Sequence, residues 1–185
     1  MTKISFDNFA AWALPLRSNT TRGLAAEYLV AHAVGGDLNQ PRDEWGNHDT
    51  ITADGITVEV KSGAYLQAWD QPALSTIVYK GLRGKWLGEQ GIYLDGRREY
   101  RSQVYVFAVH TTTEPERYDA LDPDQWEFRV VGRSRLVALN QDSISLTRLR
   151  QIQPTTVSYP GLNTAIRETA THNPKPERPR STQQH

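Results

Sequence analysis

The sequence predicts an α/β domain in which a central mixed β-sheet is flanked by α-helices. Three observations carry this reading: a capped helical segment near residues 21–34, a β-hairpin signature over 48–62, and two later apolar strands followed by a second capped helix. The chain has 185 residues, and one core usually serves roughly 100–200. The expected organisation is a single domain over 1–167 and a flexible, Pro-rich polar tail over 168–185.

The first helix is predicted from about Thr21 to Val34, capped by Thr20 or Thr21 and ended by Gly35-Gly36. Leu24, Tyr28 and Ala31 recur on it at helical spacing, and Glu27 lies within it. A connection rich in Pro, Asp, Gly and Asn leads to two β-prone runs, His48 to Thr52 and Ile56 to Ser62, divided by a turn at Asp54-Gly55. From Gly63 to Leu82 the pattern is ambiguous, with a helix broken at Pro72 as one reading. The stretch from Lys80 to Arg101 reads as a basic loop: Lys80, Arg83, Lys85, Arg97, Arg98 and Arg101 against Glu89, Asp95 and Glu99.

Val104 to Val109 is expected to be a buried strand, Glu114 to Asp124 an acidic loop, and Trp126 to Val131 the next strand. Arg135 to Leu139 reads as a further strand. Ser143 or Ser145 then caps a helix carrying Leu146, Leu149 and Ile152 on one face, which Pro154 ends. Beyond Glu168 the segment THNPKPERPRSTQQH has three prolines and no periodicity, which predicts the tail.

Composition narrows the functional classes. Apolar residues make up 38% of the chain and charged residues 23%, with five Trp and eight Tyr, so the protein is globular. Twenty-one basic residues balance twenty-one acidic ones, so any attraction to a polyanion has to come from local patches. The chain has no cysteine, which removes disulfides, thiolate chemistry and Cys-ligated zinc, and leaves metal sites built from oxygen or histidine. No signal-peptide pattern and no run of ~20 apolar residues appear, so a cytoplasmic protein without a membrane partner is expected. There is no His-Glu-x-x-His zinc motif, nucleophile elbow or dinucleotide fingerprint. The sequence Gly81-Leu82-Arg83-Gly84-Lys85 lacks the glycine spacing and the hydroxyl residue of a phosphate loop.

The chemistry concentrates in HDTITADGITVEVKS. Asp49 lies on the first run of the hairpin, and Glu59 and Lys61 lie two residues apart on the second, where they share a face. Two carboxylates converging on one point form an oxygen site for Mg²⁺, with Mn²⁺ as a substitute. An adjacent ammonium can stabilise a pentavalent phosphate or position the attacking water. Register decides whether the acids meet. A two-residue loop at Asp54-Gly55 would pair Asp49 with Val60 and turn it off the face of Glu59. A three-residue loop, Ala53-Asp54-Gly55, with Gly55 left-handed, sets Asp49 opposite Glu59.

Asp, a short spacer, then Glu-x-Lys in a hydrophobic strand resembles the signature of the PD-(D/E)XK, restriction-endonuclease-like nucleases, with Asp49, Glu59 and Lys61 as the matching residues. The residue before Asp49 is His48, where the pattern has proline. The resemblance covers roughly Thr20 to Val109. It implies a restriction-endonuclease-like fold with a helix after the catalytic hairpin, a Mg²⁺-dependent endonuclease acting on DNA, and Glu27 as a further metal ligand. A Gln-based motif of some relatives makes Gln67 or Gln71 a weak candidate. Lys80, Arg83 and Lys85 are weak candidates for phosphate contact. Small members often act as dimers, so the resemblance allows a homodimer in restriction, repair or mobile-element settings. Other readings are a Holliday-junction resolvase, an RNA-cleaving relative, a component of a larger defence complex, and a non-catalytic binder that keeps the fold. His48, adjacent to Asp49, points to the opposite face of a regular strand, and Trp69, Trp86 and Trp126 are expected to pack rather than stack on bases.

Overall fold

The computed structural model describes residues 5–88, 91–94 and 96–179. Its centre is a five-stranded mixed sheet built from β1 (Thr50–Ile51), β2 (Thr57–Ala64), β4 (Val104–His110), β5 (Trp126–Gly132) and β7 (Thr155–Val157), in the order β1-β2-β4-β5-β7. Only β2 and β4 run parallel; the other neighbours are antiparallel. The strands β3 (Val78–Lys80) and β6 (Ser143–Ser145) form a separate antiparallel pair.

Strand β4 sits in the middle because its sequence, VYVFAVH, is suited to burial on both faces, and all seven residues are buried. Side chains alternate across it. Val104, Val106 and Ala108 join a core with α2 (Asn19–Ala33) and α5 (Leu162–Thr171), while Tyr105, Phe107 and Val109 join a second core with β3, β6, α3 (Arg133–Leu139) and α4 (Leu146–Gln151). The result is a three-layer arrangement around one sheet. On β2 the same alternation sends Val58 and Val60 towards α2, and Glu59 and Lys61 to the other face. The short α1 (Phe6–Ala13) buries none of its residues.

Several expectations are corrected. The first helix begins at Asn19, capped by Ser18, whose hydroxyl accepts from the Thr21 N–H at 3.1 Å; neither Thr20 nor Thr21 is the cap. Its buried face is Thr21, Arg22, Ala25, Ala26, Leu29 and Val30, while Tyr28 is half exposed. Small Ala25 and Ala26 let the helix lie close on the sheet, and this outweighs the stripe of Leu24, Tyr28 and Ala31. Arg135 to Leu139 belongs to helix α3, not a strand. Asn173 acts as a cap from a distance, its Oδ1 accepting the Ser134 N–H at 2.8 Å. Residues 65–77, between β2 and β3, hold no helix. Helix α5 runs past residue 168, and Asn173 is buried against Gly132, where any Cβ would collide with the Asn173 amide. Ordered packing therefore continues into the segment expected to be tail. The cap at Ser145 is as expected, its hydroxyl accepting from the Arg148 N–H. No helix among the described residues is long and apolar enough to cross a membrane.

Candidate functional site

The site is built on the free edge of β2. Strand β1 pairs with it only at Thr50↔Val58 and Ile51↔Thr57, so beyond Val58 the outer edge of β2 has no strand neighbour among the described residues. The turn explains the register. The Thr52 carbonyl accepts the Gly55 N–H at 2.8 Å, the Thr52 N–H donates to the Ile56 carbonyl at 3.0 Å, and Gly55 has φ +85°. Ala53, Asp54 and Gly55 thus form a three-residue loop with a left-handed glycine, and the pairing it sets carries through Ile51↔Thr57 to Thr50↔Val58, where it ends one residue short of Asp49. Thr52 strengthens the turn by donating to Asp54 at 2.6 Å and accepting the Ile56 N–H at 2.9 Å.

The chain bends as it reaches Asp49. Its N–H donates to the carbonyl of Val58, the residue already paired with Thr50, so two residues face one. The Asp49 carboxylate then turns onto the open edge, where Oδ2 accepts the Val60 N–H at 2.6 Å. A carboxylate thus takes the place of the missing strand, between Glu59 and Lys61. Glu59 is buried, and Lys61 Nζ lies 2.7 Å from its Oε1. Glu27 reaches the same region from α2, its Oε2 held by Arg42 at 2.6 Å.

The electrostatics record this crowding. Burial first, then the charges of Glu59 and Glu27, push the Asp49 pKa up from an ordinary 3.8 to about 7, against the pull of Lys61 and the Val60 hydrogen bond. Glu27 is raised chiefly by burial, with Glu59 adding to the shift and Arg42 and Lys61 opposing it. For Lys61, burial works against the charged form, but Glu59, Asp49 and Glu27 together outweigh it and hold the ammonium above the ordinary lysine range. Three carboxyl groups therefore share two cations, and Asp49 is left least compensated.

This donor set suits a hard divalent cation, whose charge would relieve the acids. Asp49 and Glu59 are the pair at hand, and Glu27 is engaged by Arg42. Among the described residues, no three His, Asp or Glu side chains converge tightly enough to cage a metal ion as they stand.

The other candidates lie elsewhere. His48 is turned to Ser102 Oγ, 2.9 Å away, and packs edge-on to Trp86; burial and the Arg101 charge lower it to about 4, so it is neutral at pH 7. Gln67 is buried, its amide donating to the Ala64 carbonyl. Gln71 ties the same loop together through Gln67, Tyr65 and Ala73. Arg83 is committed to Asp142 and Asn140, whereas Lys80 and Lys85 are exposed. Glu89 and Asp95, counted in the basic stretch, lie outside the described residues.

Sequence reasoning missed Arg42 and Asn47. The Asn47 side chain pairs with Leu87 as a peptide would, accepting its N–H at 2.7 Å and donating to its carbonyl at 3.2 Å. Arg101 adds a bond to Asn47 Oδ1 at 3.3 Å. The basic loop is thereby fastened two residues before Asp49. An Asn-Gly-rich connection reads as turn chemistry, and nothing local marks it as a clip. No protein-family model matches this chain, and none of the curated proteins compared with it does.

Proposed function

We propose that the protein is a metal-dependent nuclease that hydrolyses DNA phosphodiester bonds, with a restriction-endonuclease-like arrangement of its catalytic hairpin. The carrying observation is the register of that hairpin: the Gly55 turn brings Asp49 onto the edge of β2 beside Glu59 and Lys61. A surface pair of Glu and Lys requires no third acid raised to about 7 by its neighbours, and active sites are where such shifts gather.

In this reading Asp49 and Glu59 would hold Mg²⁺, or Mn²⁺ in its place, and Glu27 would be a further ligand. When bound the cation supplies charge neutralisation at the phosphate and a more acidic water. Lys61 is placed to meet the negative charge that develops on the phosphoryl oxygens, and its ion pair with Glu59 fixes the ammonium. Arg42 holds the Glu27 carboxylate in place and opposes the rise that burial gives it. The parallel crossover from β2 to β4 is compatible with the family order, although the described residues of the connection hold no helix such as that order implies. A homodimer and a cytoplasmic setting are expectations of the same reading.

The test compares wild type with Asp49→Ala and Lys61→Ala on linear duplex, single-stranded, four-way-junction and RNA substrates, in Mg²⁺, Mn²⁺ or EDTA. Metal-dependent cleavage that both substitutions reduce by roughly a hundredfold or more is expected. Selective cutting of junctions would point to a resolvase, and of RNA to a ribonuclease. Folded protein that cleaves none of these substrates would overturn the enzymatic reading.

A further inference from the structure

A cavity of about 350 Å³ opens further along β2, the strand that carries Glu59 and Lys61, lined among others by Asn19, Arg22, Ser62, Gln67, Trp69 and Thr76. Its volume falls within the ~300–1,000 Å³ of small-ligand sites. Ser62 and Gly63 of its wall follow Lys61 directly on β2, so it continues the same strand about 7 Å further along.

Arg22 is the unusual member. It is 4% exposed, its Nε has no hydrogen-bond partner among the described residues, and its hydrogen bonds there go to neutral oxygens: Asn19 Oδ1 at 2.6 Å and the Arg17 carbonyl at 3.5 Å. Among the described residues no carboxylate pairs with it. A buried guanidinium without a counter-charge is costly, and an arriving anion would relieve that cost. Arg17, bonded to the Gln67 carbonyl at 2.8 Å, also has an unpartnered buried Nε. Both arginines lie at the start of α2, whose dipole adds positive potential there.

Trp69 differs from Trp86 and Trp126 in its surroundings. Those two are buried, as packing residues should be, whereas Trp69 is 57% exposed and lines the cavity. An exposed indole beside a cationic pocket is a stacking platform for an unpaired base.

We propose that this cavity is a nucleotide subsite for a single DNA strand, in which Arg22 takes a backbone phosphate and Trp69 stacks the attached base. The proposal rests on the nuclease reading and gives that site a preference for unpaired or splayed substrate next to the cleaved bond. A base held in a duplex keeps its partners and cannot reach Trp69 without flipping.

The test is anisotropy of a labelled thymidine oligonucleotide, single-stranded and in duplex, titrated with protein in EDTA so that cleavage plays no part. Trp69→Ala should weaken single-strand binding about tenfold or more, Trp69→Phe should recover most of it, and duplex affinity should change little. Arg22→Gln should lower the slope of log affinity against log salt by about 0.7, and Arg22→Lys should restore the slope but not the full affinity. Should the buried Arg22 variants fail to fold, the exposed Trp69 pair decides alone. Wild type that ignores single strands, or Trp69→Ala that binds them as wild type does, overturns the subsite. If cleavage depends on Asp49 and Lys61 while Trp69→Ala keeps its affinity, the subsite falls and the nuclease stands. Trp69-dependent binding without any cleavage keeps the subsite and removes the nuclease.

Discussion

Replacing Asp49 by Asn should stabilise the protein at alkaline pH while removing the proposed nuclease activity. The folded chain raises the Asp49 carboxyl from 3.8 to about 7. A group raised in this way contributes stability that is fully present below about pH 4, where it is protonated in both states. That stability is lost as pH climbs through about 7. At about 1.4 kcal/mol for each tenfold in acidity, the ceiling is about 4 kcal/mol. Asp49 is only half-buried and its neighbours can relax, so about half of this, ~2 kcal/mol, is the expected size. Asn keeps an oxygen to accept the Val60 N–H and carries no charge. In urea denaturation at pH 8.5 with EDTA, the midpoint of Asp49→Asn should therefore lie about 1 M above wild type, with the advantage shrinking towards pH 5. Adding Mg²⁺ at pH 8.5 should close the gap by stabilising wild type alone. An advantage that does not vary with pH, or a variant less stable than wild type at pH 8.5, would refute the account of Asp49 as an ionised acid crowded by Glu59 and Glu27.

Two further outcomes test the elements that hold the site. Gly55→Val puts a β-branched residue at φ +85°, where its Cβ meets no atom within 4 Å, so the expected loss of about 1–2 kcal/mol is backbone strain. A thermal midpoint equal to wild type would remove the left-handed turn from the explanation of register. Asn47→Ala breaks the paired bonds to Leu87 and should expose the chain around Leu87 to limited proteolysis at a cost of about 1–2 kcal/mol. A proteolytic pattern identical to wild type would show that the basic loop is fastened by other contacts.

The hairpin is legible in the sequence because its determinants are local. Asp54-Gly55 supplies the turn, alternating apolar residues supply β2, and the demand that two acids meet selects the three-residue loop. Strand β4 is legible for a similar reason, since seven residues suited to full burial leave few alternatives. Arg135 to Leu139 misleads because RLVAL suits a strand as well as a helix over so few residues, and only Leu136 is buried. What decides is tertiary: Gly132 leaves room for Asn173, and Asn173 satisfies the start of α3. That contact links residues 39 positions apart and gives a polar residue in a Pro-rich segment a structural role that composition cannot reveal. Arg22 is hidden in the same way, because an arginine in the first turn of a helix ordinarily reads as solvated.

The location of the candidate site follows from how short β1 is. An exposed strand edge carries unpaired backbone groups and invites association, so proteins usually cover it. Here Asn47, His48 and Asp49 are not strand formers, and the chain leaves the sheet after pairing with two residues of β2. The exposed edge is then met by side chains: the Asp49 carboxylate at Val60, and further along the Gln67 amide at Ala64. A longer β1 would satisfy the same backbone groups and exclude both the carboxylate and any phosphate from that edge. The truncation of β1 therefore provides room for chemistry beside Glu59 and Lys61. Extending the regular strand by replacing His48 with a β-branched residue, with Asn47 kept for its bonds to Leu87, would be expected to close the site.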